Sequence, residues 1–257
     1  MKLSLVIPVY NEERTLEILY RILSEIDFKM DLEMVFVDDC SEDSSREILK
    51  RLAAADSRIK AIFKEKNEGK GSALQRGFEE VCGDIVVVQD ADLEYNPREI
   101  PSLIQLIVED KADIVYGSRF SHMSSHVVRF SHYLGNKFLT VCSNLFSDIR
   151  LSDMETCYKC FKVEIIKNTI ITSMHFGFEP EITAKISKLK LRIHELPISY
   201  NQRSYAEGKK IGIKDGFEAL WYIFKFNVLT TASECFKSGM PVKYLEPSGL
   251  YRKKPSS

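Results

Sequence analysis

The chain opens on an apolar run, Leu3-Ser4-Leu5-Val6-Ile7, that stops at Pro8. A continuous β-prone run of this length predicts a strand buried on both faces, as in a parallel sheet. Leu16, Leu19, Tyr20, Leu23 and Ile26 then recur at helical spacing, so a helix is expected over 15–26. The alternation continues with a strand over 34–37 and a helix over 44–54. A third strand over 59–63 leads through a glycine-containing loop, 67–71, into a helix that ends near Val81. The run Ile85-Val86-Val87-Val88 is the fourth strand, Pro97 stands early in the helix after it, and 113–116 is the fifth strand. This rhythm predicts an α/β fold: a Rossmann-like, mostly parallel open sheet with helices on both faces.

The second half is less regular. Residues 121–132 are polar, with three histidines and Arg129, and read as a loop. A helix is expected over 133–146, strands over 156–163 and 192–198, and a helix over 181–189 between them. Residues 199–212 are basic and polar and read as a loop. We expect one domain over 1–230 and a loosely ordered tail over 231–257. The segment 217–230 is rich in Phe, Leu, Trp and Ile but contains Glu218, Lys225 and Asn227. It falls short of the ~18 apolar residues of a membrane span and reads as a core helix or one lying in a membrane interface.

Composition narrows the picture. The 257 residues are 44% hydrophobic and 28% charged, the balance of a globular domain with a sizeable core. Net charge is −1, from 36 basic and 37 acidic residues, so nothing points to nucleic acid as a partner. There is no signal-peptide pattern, and the six cysteines read as reduced thiols of a cytoplasmic protein, at the cytoplasmic membrane face if 217–230 meets lipid. Cys157 and Cys160 have no second pair or histidines at zinc spacing and read as ordinary thiols. Oligomeric state is left open.

Candidate chemistry gathers where strands end, the edge at which open α/β sheets bind ligands. Asp90-Ala91-Asp92 follows the fourth strand directly. Two carboxylates there are costly unless something compensates them, and a divalent cation bridging them to phosphate oxygens does so. Glu94 continues the alternation as a third oxygen ligand. The plain alternative is an acidic turn capping the helix near Pro97. Pro8-Val9-Tyr10-Asn11-Glu12 after the first strand is either a helix start or a nucleotide-facing turn, in which Tyr10 packs on a base and Glu12 accepts a hydrogen bond. Asp38-Asp39-Cys40-Ser41 after the second strand carries the same two readings. Lys70, bracketed by Gly69 and Gly71, is placed to reach a phosphate.

Taken in order, Ile7-Pro8-Val9-Tyr10-Asn11-Glu12, Val37-Asp38-Asp39-Cys40-Ser41, Asn67-Glu68-Gly69-Lys70-Gly71 and Asp90-Ala91-Asp92-Leu93 resemble the motifs of the inverting family-two glycosyltransferases of GT-A fold. Tyr116-Gly117-Ser118-Arg119-Phe120 and Arg203-Ser204-Tyr205-Ala206-Glu207-Gly208-Lys209 resemble its dolichyl-phosphate mannosyltransferase and polyprenyl-phosphate glycosyltransferase branch. The resemblance spans about residues 3–228.

It implies hexosyl transfer from a GDP- or UDP-sugar, dependent on Mg2+ or Mn2+, to a polyprenyl phosphate. A glycan hydroxyl is the alternative acceptor, and peripheral membrane contact is a further implication. Pro8, Tyr10, Glu12, Val37 and Asp39 would hold the nucleoside, with Lys70, Asp90 and Ala91 also on the donor. Asp90, Asp92 and Glu94 would hold the metal, and Arg119, Arg203 and Lys209 would gather phosphates. The catalytic set would be Asp92, Arg119 and Asp153, the last as base if the acceptor is a hydroxyl. In the run His175-Phe176-Gly177-Phe178-Glu179-Pro180-Glu181, His175 and Glu179 read either as shaping the acceptor side or as a helix start before Glu181.

The branch often continues from its Asp153 equivalent into Ser-Gly-Phe-Arg. Here the chain reads Asp153-Met154-Glu155-Thr156-Cys157-Tyr158-Lys159, so the acceptor side is altered.

Three rivals remain in view. A phosphatase of haloacid dehalogenase type would want Thr or Val where Glu94 stands. A nucleotidyltransferase would want a basic, glycine-rich turn after the first strand. A non-catalytic nucleotide-sugar-binding scaffold would not need the acidic and basic site residues.

Overall fold

The computed structural model describes residues 1–120, 130–175, 177–202 and 213–245. Among them, seven strands form one sheet: β1 (Lys2–Val9), β2 (Asp31–Asp38), β3 (Ile59–Phe63), β4 (Ile85–Val88), β5 (Ile114–Ser118), β6 (Lys159–Lys162) and β7 (Ile193–Pro197). Their order is β3-β2-β1-β4-β6-β5-β7. β1 lies between β2 and β4, parallel to both, and Leu3, Leu5, Val6 and Ile7 are all fully buried, as the unbroken apolar run requires.

Helices join the strands: α1 (Leu16–Glu25), α2 (Ser45–Ala55), α3 (Lys70–Glu80), α4 (Ile100–Val108), α5 (Phe130–Ser147), α6 (Val163–Ile166), α7 (Phe178–Ile186), α8 (Ile213–Phe224) and α9 (Ala232–Cys235). α3 lies against β1 and β2 because Gly77 has no side chain; a Cβ there would stand 2.3 Å from a Val6 methyl. Pro97 opens a single 3-10 turn ahead of α4, capped by the Asn96 side chain, where its missing N–H costs nothing.

β6 is the antiparallel member of the mostly parallel sheet. It runs antiparallel to both neighbours, pairing Val87 with Cys160 and Tyr116 with Lys159. Its residues carry no sign of direction, because an apolar run reads the same either way. Direction follows from the approach: the chain leaves α5, makes the 151–158 loop beside the carboxyl ends of β4 and β5, and must run back from there. That reversal places Asp153 to Tyr158 at the ligand-binding edge.

Two other segments are seen in detail. Residues 217–230 are not a uniform core helix: α8 passes into a π-helical turn, Lys225–Leu229. Ala219, Ile223 and Phe226 face inward, while Phe217, Trp221, Phe224 and Val228 are exposed. Residues 231–245 carry α9 and a 3-10 turn at Val242–Tyr244, with Cys235 and Tyr244 buried and the Tyr244 hydroxyl donating to Glu164 at 2.6 Å.

Glu33, on β2, holds the amino end of the sheet together. It accepts from Ser4 Oγ at 2.7 Å, Lys2 Nζ at 3.0 Å and the Cys82 amide at 2.9 Å. Burial raises its pKa, but these donors and the Cys82 thiol outweigh burial and hold it at about 2. A carboxyl held below its ordinary range contributes stability above that range and loses it as pH falls towards the folded value. Glu33→Gln is therefore expected to cost about 1–3 kcal/mol at neutral pH. The gap to the parent protein should close as pH falls from 4.5 to about 2, as measured by urea unfolding across that range.

Candidate active site

The first two strand-end turns brace each other. Asn11 and Cys40 adopt positive φ (55° and 63°), which turns the chain sharply after β1 and β2. The Asn11 side chain accepts from the Glu42 amide, while the Asn11 and Glu12 amides donate to Ser41 and Ser45. Glu12 also accepts from Thr15 Oγ1 at 2.9 Å, so it serves the start of α1. Pro8 and Val37 are register partners at the strand ends. Asp39 is buried and accepts from Lys64 Nζ and the amides of Glu68 and Gly69. Its carboxylate thereby fixes the loop ahead of α3.

The glycines of that loop have a role the sequence did not disclose. Gly69 sits at φ +92°, and a Cβ on Gly71 would stand 2.1 Å from the Ser173 carbonyl oxygen. The gap lets segment 173–175 close over the start of α3, where the Gly71 and Ser72 amides donate to the carbonyls of His175 and Met174. Those amides are thus spent within the chain, and Lys70 offers only its side chain. Its ammonium lies between Asp90 (2.9 Å) and Glu179 (3.0 Å). Burial opposes that charge, but the two carboxylates outweigh it and hold the lysine well above its ordinary pKa.

Asp90 is fixed from behind. Gln89, fully buried, donates to the Asp90 carbonyl and accepts from the Tyr158 hydroxyl at 2.7 Å. Leu93, at φ 62°, turns the chain after Asp92, and the Asp92 carboxylate accepts from the Glu94 amide at 3.0 Å. Glu94 itself turns to the Tyr200 hydroxyl at 2.7 Å, and its carbonyl accepts from the Asn201 amide.

Among the described residues, no three His, Cys, Asp or Glu groups are gathered at metal-ligand spacing. In this arrangement Asp90 faces Lys70 and Glu94 faces Tyr200. Asp90 and Asp92 still fit Mg2+ or Mn2+, which take hard oxygen donors and commonly use one or two carboxylates with phosphates completing the shell.

Across β6 stands the second centre. Arg119 makes a bidentate pair with Asp153, Nε to Oδ2 and Nη2 to Oδ1, both 2.7 Å, and its amide adds a third bond at 3.0 Å. Both side chains are nearly sealed from solvent. Burial lowers the tendency of Arg119 to stay charged, and Asp153 outweighs it, holding the guanidinium well above its ordinary pKa. The guanidinium also lies 5.0 Å from the Tyr200 ring centre. Asp153 thus holds Arg119 in place through its carboxylate.

The loop around Asp153 is held by Glu195 of β7, which accepts the amides of Ser152 and Asp153. Glu195, Gln89, Tyr95 and Tyr200 escaped the sequence reading because each acts through a partner remote in sequence. The two buried cysteines of the 157–160 pair are separate free thiols. Arg203 and Lys209 lie outside the described residues, but Ser199 to Asn201, which lead into their segment, are tied to Glu99, Tyr95 and Glu94. His175 contributes its carbonyl and Glu179 its carboxylate.

The family model for glycosyl transferase family 2 matches residues 4–169. The chain is 31% identical over 229 residues to a dolichol-phosphate mannosyltransferase of Pyrococcus furiosus, covering 88% of this chain and 63% of the relative. It is 31% identical over 209 residues to an undecaprenyl-phosphate 4-deoxy-4-formamido-L-arabinose transferase of Shewanella sediminis, covering 80% of this chain and 61% of the relative. The chain thus spans about three-fifths of the length of these curated relatives. Glucosyl-3-phosphoglycerate synthase of Mycobacterium tuberculosis, solved with Mn2+, uridine diphosphate and phosphoglyceric acid, superposes with a TM-score of 0.66 at 18% identity, over 90% of this chain and 80% of that one. That likeness shows the fold, which is the expected GT-A fold.

Breaking the Arg119–Asp153 pair strands a buried charge. Asp153→Asn is expected to cost about 3–5 kcal/mol in urea unfolding. Adding Arg119→Met should recover part of that loss, because it removes the unpaired cation.

Proposed function

Because the chain belongs to glycosyl transferase family 2, we propose that it transfers a hexose, with inversion, from a nucleotide-sugar donor to a polyprenyl phosphate. The observation that carries this reading is the pairing of two centres across β6. Asp90 and Asp92 end β4 beside Lys70, and Arg119 ends β5, held by Asp153. The first suits the donor's diphosphate and the second an anionic acceptor.

In this reading Asp90 and Asp92 hold Mg2+ or Mn2+, and Glu94 fixes the turn through Tyr200. The bound cation supplies Lewis-acid neutralisation of the departing diphosphate. Pro8, Tyr10, Glu12, Val37 and Asp39 line the nucleoside end, and Asp39 holds the loop that delivers Lys70. Lys70 stands against Asp90 as a fixed positive charge on the donor side, and Arg119 offers its remaining N–H groups to a phosphate.

An acceptor phosphate is already an anionic nucleophile and needs no strong base. That agrees with Asp153 being engaged by Arg119, and it favours the phosphate over a saccharide hydroxyl. The Pyrococcus and Shewanella relatives are named for dolichol and undecaprenyl phosphate, in line with this choice.

A lipid acceptor requires a surface that meets a bilayer. No helix among the described residues is long and apolar enough to cross a membrane. Leu134, Phe138, Val141 and Leu145 instead form an exposed stripe on α5, and Phe217, Trp221, Phe224 and Val228 form a second along α8 and its π turn. The stripes adjoin where Phe146 meets Phe224 edge-on at 6.3 Å. In each, the 4-3-4 spacing is that of a helix lying in an interface.

Asp92→Ala is expected to abolish sugar transfer while leaving the thermal unfolding midpoint within a few degrees. The assay is a donor screen (GDP-mannose, UDP-glucose and UDP-N-acetylhexosamines) with manganese, with and without polyprenyl phosphate. Transfer to a saccharide alone would move the enzyme out of the lipid-carrier class, and unchanged turnover in the variant would remove the metal role.

Phe138→Asp combined with Trp221→Asp is expected to abolish co-sedimentation with phospholipid vesicles and to spare transfer to a detergent-dispersed short-chain acceptor. Vesicle binding equal to the parent would remove the membrane role of the stripes.

A further inference from the structure

Between the two centres lies a carboxyl that the proposed mechanism does not use. Glu155 is half-buried, yet its Oε1 is sealed from solvent and has no hydrogen-bond partner. Its neighbours explain why it stays there. Lys159, fully buried on β6, donates to the carbonyls of Met154 (3.1 Å) and Thr156, one on each side of Glu155, and sits 4.8 Å from the Tyr116 ring centre. This clamp fixes the two peptides that flank the residue. The Met154 amide is held by Thr140 Oγ1 of α5, and the Cys157 amide by the Tyr95 hydroxyl. The backbone around Glu155 is therefore rigid while its carboxyl is left unserved.

An ionised carboxylate in that position would be costly. The sealed oxygen accepts no donor, and the nearby cations are committed: Arg119 to Asp153, and Lys159 to carbonyls. The charged groups acting on it are Glu179 from α7, Lys159 from β6, Arg119 after β5, and Asp153 from its own loop. Burial first, and the Glu179 carboxylate second, push its pKa up to about 8, while burial lowers that of Lys159. A neutral carboxyl has an O–H to donate, and the partner that uses it best is an anionic oxygen.

Resting on the proposed lipid-phosphate acceptor, we infer that Glu155 is an acceptor-binding residue that works as a neutral acid, donating a hydrogen bond to a non-bridging oxygen of the acceptor phosphate. It forms the acceptor side together with Arg119: the guanidinium supplies charge, and the carboxyl supplies a donor without adding repulsion to an incoming dianion. Nothing is transferred in this step; the proton stays on Glu155. The role differs from that of a general base, and the two predict opposite behaviour for the amide variant.

The probe is farnesyl phosphate, titrated calorimetrically into the whole chain with manganese and nucleoside diphosphate present, at pH 6.5 and at pH 9. Glu155→Ala is expected to weaken binding about ten- to a hundred-fold at pH 6.5, the loss of one hydrogen bond to a charged group. Glu155→Gln keeps an N–H donor and is expected to bind within about three-fold of the parent, a shift below 1 kcal/mol. The parent should lose affinity as pH rises through about 8, where the carboxyl ionises, and Glu155→Gln should not show that loss.

Infrared difference spectra should show a protonated-carboxyl band in the parent at neutral pH that Glu155→Gln removes. Two results overturn the inference alone: parent-like affinity in Glu155→Ala, or Glu155→Gln as weak as Glu155→Ala at pH 6.5. A parent that binds nucleotide with manganese but no farnesyl phosphate overturns the lipid-phosphate reading, and this inference with it.

Discussion

A single ammonium group, that of Lys70, holds three parts of the molecule in place. It stands at the first turn of α3, between Asp90 at the end of β4 and Glu179 at the start of α7. The carboxyl edge of this sheet is crowded with acid, and like charges there repel unless a cation intervenes. Asp38 has Arg46, Asp39 has Lys64, and Asp153 has Arg119. Lys70 joins two acids that stand far apart in the chain, so it ties the end of β4 to the start of α7. Its own placement needs Gly69 and Gly71, which let the 173–175 segment lie against α3 without a collision.

The antiparallel strand is the second constraint. Were β6 parallel, the loop before it would lie at the amino edge of the sheet, away from Asp90. Reversed, it brings Asp153, Glu155 and Tyr158 to the same edge as Asp90 and Arg119. Tyr158 reaches Gln89, Asp153 reaches Arg119, and the loop is tied to β7 through Glu195. The Asp90 and Arg119 centres thus share one sheet edge, with the apolar stripes of α5 and α8 on the neighbouring helices. Lys137 of α5 reaches the Ser152 carbonyl, so the helix bearing one stripe contacts the loop that carries Asp153.

Buried polarity in this region is uneven. Arg119 and Lys70 are satisfied several times over, whereas Glu155 Oε1 and Thr156 Oγ1 are sealed without partners. Such orphaned groups are uncommon in a settled core and call for a specific explanation. Both belong to the loop that carries Asp153, and Glu155 lies within electrostatic reach of Glu179 and Arg119.

The chain's pattern by itself determined the β-α alternation from Leu3 to Tyr116, the buried character of β1 and β4, and the acidic strand ends at Asp38-Asp39 and Asp90-Asp92. Those features are local: burial on two faces demands an unbroken apolar run, and a sharp strand end demands polar residues. Motif order added the family. Tertiary structure alone decided the direction of β6, because hydrogen bonding in a ladder leaves no mark on side-chain order. It alone paired Lys70 with Glu179, 109 residues away, and brought Tyr200 to Glu94. It also made Asp153 the partner of Arg119. Charges find their counter-ions through space, and sequence spacing carries no record of which cation will reach them.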